Sequence, residues 1–544
     1  MGTSILTAAH SYIPSSVSLE GLRRDIVGAG VNISTPFGLR PLVYADYTAS
    51  GRALGRIETI IAEQVLPFYA NTHSETSFNG AQTGALREAA RDCIRSAINA
   101  GSEDLLIFTG SGTTAAVNRL VDMLGLVRSS KVCHELPEAM RPVVFVGPYE
   151  HHSNELPWRE SLAEVVRIGL TPEGQIDQQD LADALQRYAD RPMKVGSFSA
   201  ASNVTGILSD VQGITKLLRQ HGALSCWDYA AGGPYLPLDM NFPGAEIDAL
   251  FLSPHKFLGG PGTPGVLAVK RHLLSRERPG IIGGGTVAYV NADSHVWIAD
   301  VEAREEGGTP AIVESIRCGL VFALKEQVGG AIIAQREHVH LERAWQMLGQ
   351  VPGLEILGPG TEVDRLPIFS LRFYDGNHCL PHDYIVALLN DLFGIQARGG
   401  CSCAGPYGHQ LLGFDETKAE SMLRAARAGK GRLPLDQKPG WVRVNFHWVA
   451  SDEECTYILE AIRFVATNAS RLQSLYQFDP VAGVWRHLRA QATTAATMQA
   501  LLAEGIQPTA SAYTPERKGG QAEELLSTEF SRALEAAHRL VKDL

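Results

Sequence analysis

From about residue 95 to 270, short apolar runs alternate with segments whose apolar residues recur every three or four positions. "LLIFTG" gives way to "TTAAVNRLVDMLGLV" and "PVVFVG" to "SNELPWRESLAEV". "DLADALQRYA" leads into "KVGSFSAAS", "VQGITKLLRQHG" into "ALSCWDYA", and "DALFLSPHK" precedes "GVLAVKR". Short apolar runs bounded by turn residues read as buried strands, and the periodic segments between them as helices. That alternation predicts an α/β fold with a mainly parallel sheet. Ligands of such sheets gather at the carboxyl ends of the strands. The polar and glycine-rich residues fall there: Gly110 to Thr114, Glu150 to Asn154, Ser202 and Asn203, Asp228, and Ser253 to Lys256.

After about residue 316 the pattern changes. A long helical stretch, "VFALKEQVGGAIIAQREHVHLERAWQML", precedes a strand in "PIFSLRFY", a helix in "HDYIVALLNDLF" and the loop "GIQARGGCSCAGPYGH". A strand in "WVRVNFHWV" and a helix in "DEECTYILEAIRFVATNASRL" follow. The expected organisation is an N-terminal segment (1–40), a large domain (41–315), a smaller α/β domain (316–474) carrying the cysteine loop, and a C-terminal tail (475–544). The tail reads as helical pieces interrupted by the polar linker "QPTASAYTPERKGGQ", and no chemistry attaches to it.

A chain of 544 residues, 45% hydrophobic and 20% charged, has a globular composition and is long enough for more than one core. A net charge of -11 and no basic block interleaved with aromatics argue against nucleic acid as a partner. The start, "MGTSILTAAHSYIPSS", has no basic region followed by an apolar core, and no stretch offers about 18 uninterrupted apolar residues. The expectation is a cytoplasmic protein with no membrane partner. Eight scattered cysteines are too sparse for a disulfide framework, and Cys93, Cys226 and Cys318 sit among apolar residues as packing thiols do. Only Cys401 and Cys403, one residue apart among glycines, stand out. By themselves they fit half a metal site, a redox couple, a reactive thiol with a neighbour, or small residues in a tight loop.

The strand ends carry the chemistry. In "DALFLSPHKFLGGPG" a strand delivers Ser253, His255 and Lys256 to a glycine-rich turn. A lysine there is a surface residue, or an amine whose pKa burial lowers for Schiff-base chemistry. Asp228 ends "ALSCWD", where it is a helix N-cap or the carboxylate that keeps a pyridine nitrogen protonated. "TGSGTTAAVN" runs through glycines into a helix start, offering the backbone and the hydroxyls of Thr113 and Thr114 to an anion. It is not a nucleotide P-loop, because no lysine follows the last glycine. His151 and His152 in "PYEHHSNELPW" suit ring stacking or proton transfer better than zinc, for which no ligand partner stands at a recognised spacing.

Together "YADYTASGR", "GSGTTAAVN", "YEHHSNELPW", "SNVTGILSD", "WDYAAGGPYLPLD", "LFLSPHKFLGGPGTPGV", "EEGGTPAIVESI", "ARGGCSCAGP" and "WVRVNFHW" stand in the order and spacing of the class V aminotransferase-like pyridoxal phosphate enzymes. Among these the chain most resembles the cysteine desulfurases and selenocysteine lyases, over roughly residues 40–470. The resemblance implies fold type I, with a seven-stranded, mostly parallel sheet, a smaller C-terminal α/β domain and a homodimer. It implies pyridoxal 5'-phosphate as cofactor, joined to Lys256 as a Schiff base, with Asp228 on the ring nitrogen, His151 stacked on the ring and Asn203 near its 3-hydroxyl. Thr113 or Thr114, Ser253 and His255 would hold the phosphate, and Thr309 resembles the position that reaches the phosphate of the other subunit. Arg443 matches the arginine that clamps the substrate carboxylate, with Arg398 a second arginine beside the cysteine loop.

Arg398, Gly400, Cys403 and Ala404 fit the desulfurase Arg-x-Gly-x-x-Cys-Ala pattern, which makes Cys403 the candidate nucleophile. Its thiolate would take sulfur from a substrate cysteine as an enzyme persulfide, with alanine as product and a protein as possible sulfur acceptor. Two positions depart from the family. Ala231 stands where a glutamine is usual, and Cys401 and Ser402 replace two histidines, leaving Cys401 as a resolving thiol or a filler. A Cys-x-Cys metal site with His409 lacks a second ligand pair, so no metal is expected. The alternatives are a class V aminotransferase, epimerase or C–S lyase in which Cys403 is structural, or a catalytically idle sulfur carrier or scaffold. Retention of Lys256, Asp228, His151 and Arg443 argues against the last.

Overall fold

Seven strands make the central sheet of the computed structural model, which describes residues 18–72, 76–128, 136–274, 276–429, 439–480, 482–490 and 521–544. They are β1 (Asp104–Thr109), β2 (Val143–Val146), β3 (Glu164–Arg167), β4 (Lys194–Ser199), β5 (Leu224–Asp228), β6 (Ala249–Leu252) and β7 (Gly265–Lys270). Their order is β1-β7-β6-β5-β4-β2-β3. The pairs from β6 to β3 are parallel, and β7 runs antiparallel to both its neighbours. The sheet is therefore mostly parallel, as the alternating pattern predicts. Every residue of β1, β2 and β6 is buried, because both faces of the sheet are covered, which is why these strands read as unbroken apolar runs.

Helices α1 (Phe78–Ala97), α2 (Gly112–Met123) and α3 (His152–Arg159) surround this core. The edge strand β1 is covered by side chains rather than by another strand. Its Leu106 N–H donates to Glu302 and its Phe108 N–H to Glu306 at 2.6 Å, while Arg91 donates to the Leu106 carbonyl and grips Glu306. The stretch 321–348, expected as one helix, is two: α4 (Ile312–Val328) and α5 (Gly330–Leu348). The break is at Gly329, whose φ of +86° lies outside the helical region. Helix α4 lies against α1 so closely that a Cβ on Gly319 would stand 2.5 Å from that of Ala90. Its apolar residues belong to the core of the large sheet.

A second core forms around an antiparallel sheet of β8 (Leu354–Ile356), β9 (Ile368–Asp375), β10 (His378–Cys379), β11 (Arg398–Gly400) and β12 (Trp441–Asn445), ordered β8-β9-β12-β11 with β10 pairing β9. Helices α6 (His382–Phe393), α7 (Gly405–Leu411) and α8 (Asp452–Leu472) accompany it. The tail departs from the expectation of helices alone. Two of its segments, β13 (Tyr476–Asp479) and β14 (Val484–His487), pair antiparallel as a hairpin. Its paired ends Tyr476 and His487 are buried, and Gly483, at φ +68°, leads into the second strand. Helix α9 (Gln521–Asp543) then closes the second core with Phe530, Ala533, Ala537 and Val541, Phe530 stacking on Tyr457 at 4.1 Å. The polar linker expected between these pieces lies outside the described residues, apart from Gln521, as do residues 1–17. No helix of the described residues is long and apolar enough to cross a membrane.

Candidate active site

At the carboxyl edge of the large sheet a cavity of about 190 Å³ opens between the two cores. The strand ends supply one wall. After β1 the chain turns at Gly112 (φ +55°), where a Cβ would meet Ser253 Oγ at 2.6 Å. That close approach lets Ser253 Oγ accept the Thr113 N–H at 2.9 Å. Thr113, Thr114, Ser253 and His255 all line the cavity, joined by Ser111 and Ser153. Burial pushes the His255 imidazole down to about 4, with Lys256 acting in the same direction.

Asp228 ends β5 and is not a helix cap. Its Oδ1 accepts from the Ala230 N–H at 2.7 Å and the Thr113 hydroxyl at 3.1 Å, and no hydrogen bond among the described residues falls on Oδ2. Burial raises the carboxyl against these bonds and the charge of Lys256. Lys256 lines the same cavity, and burial lowers its amine to about 8, Asp228 opposing the shift and Arg443 and Arg398 adding to it. A buried carboxylate with an uncommitted oxygen, an amine poised near neutrality and a cluster of hydroxyls at a helix start suit a flat, cationic heteroaromatic ring bearing a carbonyl and a phosphate. Ala230 lines the cavity, whereas Ala231 is buried in the core.

The adjacent histidines take opposite tautomers. His151 Nδ1 accepts the Ser153 N–H at 3.1 Å, so its proton sits on Nε2, and burial lowers its pKa to about 3. His152 Nε2 accepts the Gly405 N–H at 3.0 Å, so its proton sits on Nδ1. His151 faces the cavity, and His152 is not among its lining residues.

The second core supplies the opposite wall. Arg398 and Arg443 are register partners across β11 and β12, and both reach the cavity. Arg443 is buried, donating to Asp46 Oδ1 at 2.8 Å and to the Asn203 carbonyl at 3.1 Å, with its Nε unpartnered. After β11 comes a tight turn in which the Cys401 carbonyl accepts the Ala404 N–H at 3.3 Å. Its central residues, Ser402 (φ +54°) and Cys403 (φ +56°), are left-handed, the φ pattern of a type I′ turn. Cys403 lines the cavity, while Cys401 packs against the apolar core. His409 stacks on Phe414 with ring centroids 5.2 Å apart. Thr309 stands apart from the cavity, accepting a hydrogen bond from Asn71 at 3.1 Å. The sequence analysis gives no role to Asp46, which lies inside the "YADYTASGR" motif, or to Ser111 and Ser153, which fall within the strand-end stretches 110–114 and 150–154.

The chain belongs to the class V aminotransferase family, whose sequence model matches residues 43–428. Members of that family are pyridoxal phosphate-dependent enzymes. The chain is 30% identical to a probable cysteine desulfurase of Streptomyces coelicolor over 401 residues, 73% of this chain and 90% of the relative. It is also 30% identical to a probable cysteine desulfurase of Staphylococcus epidermidis over 386 residues, 70% of this chain and 87% of the relative. In fold it resembles a cysteine desulfurase from Thermococcus onnurineus, with a TM-score of 0.66 at 23% identity over 82% of this chain and 98% of that one.

Proposed function

We propose that this chain is a cysteine desulfurase that uses pyridoxal phosphate, moving the sulfur of L-cysteine onto Cys403 and releasing L-alanine. The observation that carries this reading is that Cys403 lines the same cavity as Lys256, Asp228 and Arg443, while Cys401 lies outside it. Similarity to proteins named probable cysteine desulfurases supports it. Pyridoxal phosphate, when bound, supplies a carbonyl that captures amines and an electron sink for charge developing at the substrate Cα.

Lys256 would hold the carbonyl, Asp228 Oδ2 the ring N–H, and Thr113, Thr114, Ser253 and His255 the phosphate. His151 would lie against the ring with its Nε2–H as donor. Asn203 keeps one amide N–H for the ring hydroxyl after donating the other to Ser402. Arg443 binds the substrate carboxylate through N–H groups left over from Asp46 and Asn203, with Arg398 beside it. An amine held near 8 takes up and returns a proton at Nζ around neutral pH. Cys403 attacks the substrate sulfur as thiolate: the S–S bond forms as the C–S bond breaks, and Cβ gains a proton to become the methyl of alanine. Cys403–SH and L-cysteine become Cys403–S–SH and L-alanine, with no outside oxidant or reductant.

A homodimer belongs to this reading. Ile281, Ile282, Tyr289, Val290 and Val296 are exposed on one stretch of chain, and Ile281 lies beside Gly307 near Thr309. Such a surface suits burial against a second copy. The purified protein, given L-cysteine, tests the activity: alanine equal to the sulfur released, and an added 32 Da on the Cys403 peptide before a thiol reductant is supplied, are expected. Sulfide released with no sulfur retained on the protein makes the chain a C–S lyase instead.

A further inference from the structure

We propose that His152 is the positioning residue of the cysteine loop, holding the strained turn that keeps the Cys403 thiol in the cavity. The inference rests on the reading of Cys403 as the sulfur-accepting nucleophile. Each left-handed L-residue costs about 1–2 kcal/mol, and turns of this φ pattern ordinarily take Asn-Gly rather than Ser-Cys. Ser402 and Cys403 therefore need restraint from outside the turn.

His152 supplies it from both sides of its own residue. Its backbone N–H donates to the Cys403 carbonyl at 2.9 Å, and its ring Nε2 accepts the Gly405 N–H at 3.0 Å. These contacts lie on Cys403 itself and two residues beyond. Asn203 adds a third, donating to the Ser402 carbonyl at 2.7 Å. The fit at 405 is close: a Cβ there would lie 3.2 Å from His152 Nε2, so the ring would have to give by a few tenths of an ångström. His152 opens α3, the helix that follows β2 after the short connection 147–151, so it ties the loop of the second core to the sheet of the first. Because its ring is outside the cavity lining, its effect reaches the reaction through Cys403 and not through substrate. Burial favours the neutral ring that this bond requires, with Arg159 adding to that preference and Glu155 opposing it.

The test compares His152→Ala with His152→Gln in the holoenzyme. Gln keeps a side-chain acceptor for the Gly405 amide, and both variants keep the backbone contact. In His152→Ala, formation of the Cys403 persulfide in the first turnover should fall about tenfold, while iodoacetamide should alkylate Cys403 faster and the Gly405 amide should lose hydrogen-exchange protection. KM for L-cysteine should stay within about twofold, because Arg443 is untouched. His152→Gln should restore most of the protection and of the rate. The proposal is overturned if His152→Ala leaves alkylation and exchange unchanged, or if Gln is as impaired as Ala. Cys403→Ser run in parallel separates the two ideas: persulfide formed without Cys403 removes the desulfurase reading, while alkylation and exchange still decide on the clamp.

Discussion

Asp46 and Arg443, 397 residues apart in the chain, meet at 2.8 Å, and the carboxylate takes one N–H of a buried guanidinium that also donates to the Asn203 carbonyl at 3.1 Å and lines the cavity. A charge that is already paired costs less to keep dry, and its orientation is fixed before substrate arrives. Arg443→Ala should raise KM for L-cysteine by about 2–4 kcal/mol of lost binding, and Arg443→Lys should not restore it, because a point charge cannot satisfy Asp46 and a substrate carboxylate in one plane. Asp46→Asn should give a smaller rise with kcat nearly kept. Steady-state kinetics decide, and amines without a carboxylate reacting equally well in the native protein would refute the assignment.

Lys256 should be the residue that holds the cofactor. Borohydride reduction and peptide mapping should find the reduced cofactor on Lys256 alone. The amine is held at about 8, so below that pH it is mainly ammonium and lacks a free lone pair. The rate at which cofactor-free protein captures pyridoxal phosphate should therefore climb about tenfold per pH unit from 6 towards 8 and then level off. A rate still climbing steadily to pH 10 would show an ordinary lysine.

Asp228→Ala removes the carboxylate while leaving the hydroxyl cluster of Thr113 and Ser253. Cofactor should still bind, more weakly, with turnover reduced by a factor of 100 or more, roughly the size of an electrostatic contribution at a reacting centre. Fluorescence titration gives the affinity and alanine release the rate; turnover within about twofold of native would assign the role elsewhere.

Cys403→Ser should abolish both sulfide release and the protein-bound extra sulfur, while substrate still changes the cofactor absorbance, since Lys256 and Arg443 remain. Cys401→Ser should keep the first turnover, because that residue packs against the core instead of lining the cavity. Extra sulfur found on the Cys403→Ser protein would move the nucleophile to Cys401.

The tail helix α9 should contribute to stability. Phe530 is buried and lies parallel to Tyr457, with ring planes 12° apart. Phe530→Ala should cost about 3–5 kcal/mol in chemical denaturation, comparable to emptying any aromatic core position. A loss below about 0.5 kcal/mol would mean that α9 rests on the surface without stabilising it.

The central sheet was legible because both its faces are covered: β2 and β6 are wholly apolar, β1 is apolar from Leu105 to Phe108, and the polar residues between these runs mark the strand ends. That rule located Thr113, His151, Asn203, Asp228 and Lys256, and one cavity does hold them. The class V resemblance and the mostly parallel seven-stranded sheet both stand. Pairings across the two cores were not legible. Nothing near Asp46 in sequence announces Arg443, and the two contacts of His152 depend on a turn whose left-handed residues are Ser and Cys rather than Gly or Asn. The break in the expected long helix had a visible cause in the Gly329-Gly330 pair, which apolar spacing on both sides concealed. The hairpin of β13 and β14 was hidden by its brevity, with four residues on each side of the turn.

The carboxylates of Glu302 and Glu306 on the outer edge of β1 also limit how copies of this chain can combine. A bare edge of this kind is a template, open to any strand that arrives with matching amides. Here the amides of Leu106 and Phe108 and the carbonyl of Leu106 are already taken, by side chains fixed in a buried ion-pair network with Arg87 and Arg91. Along this edge the sheet cannot grow from one molecule into the next, so neither fibre-like polymerisation nor capture of an extended peptide can begin there. At this edge, self-association is left to side-chain surfaces, where a single substitution can tune it without disturbing the backbone of the fold.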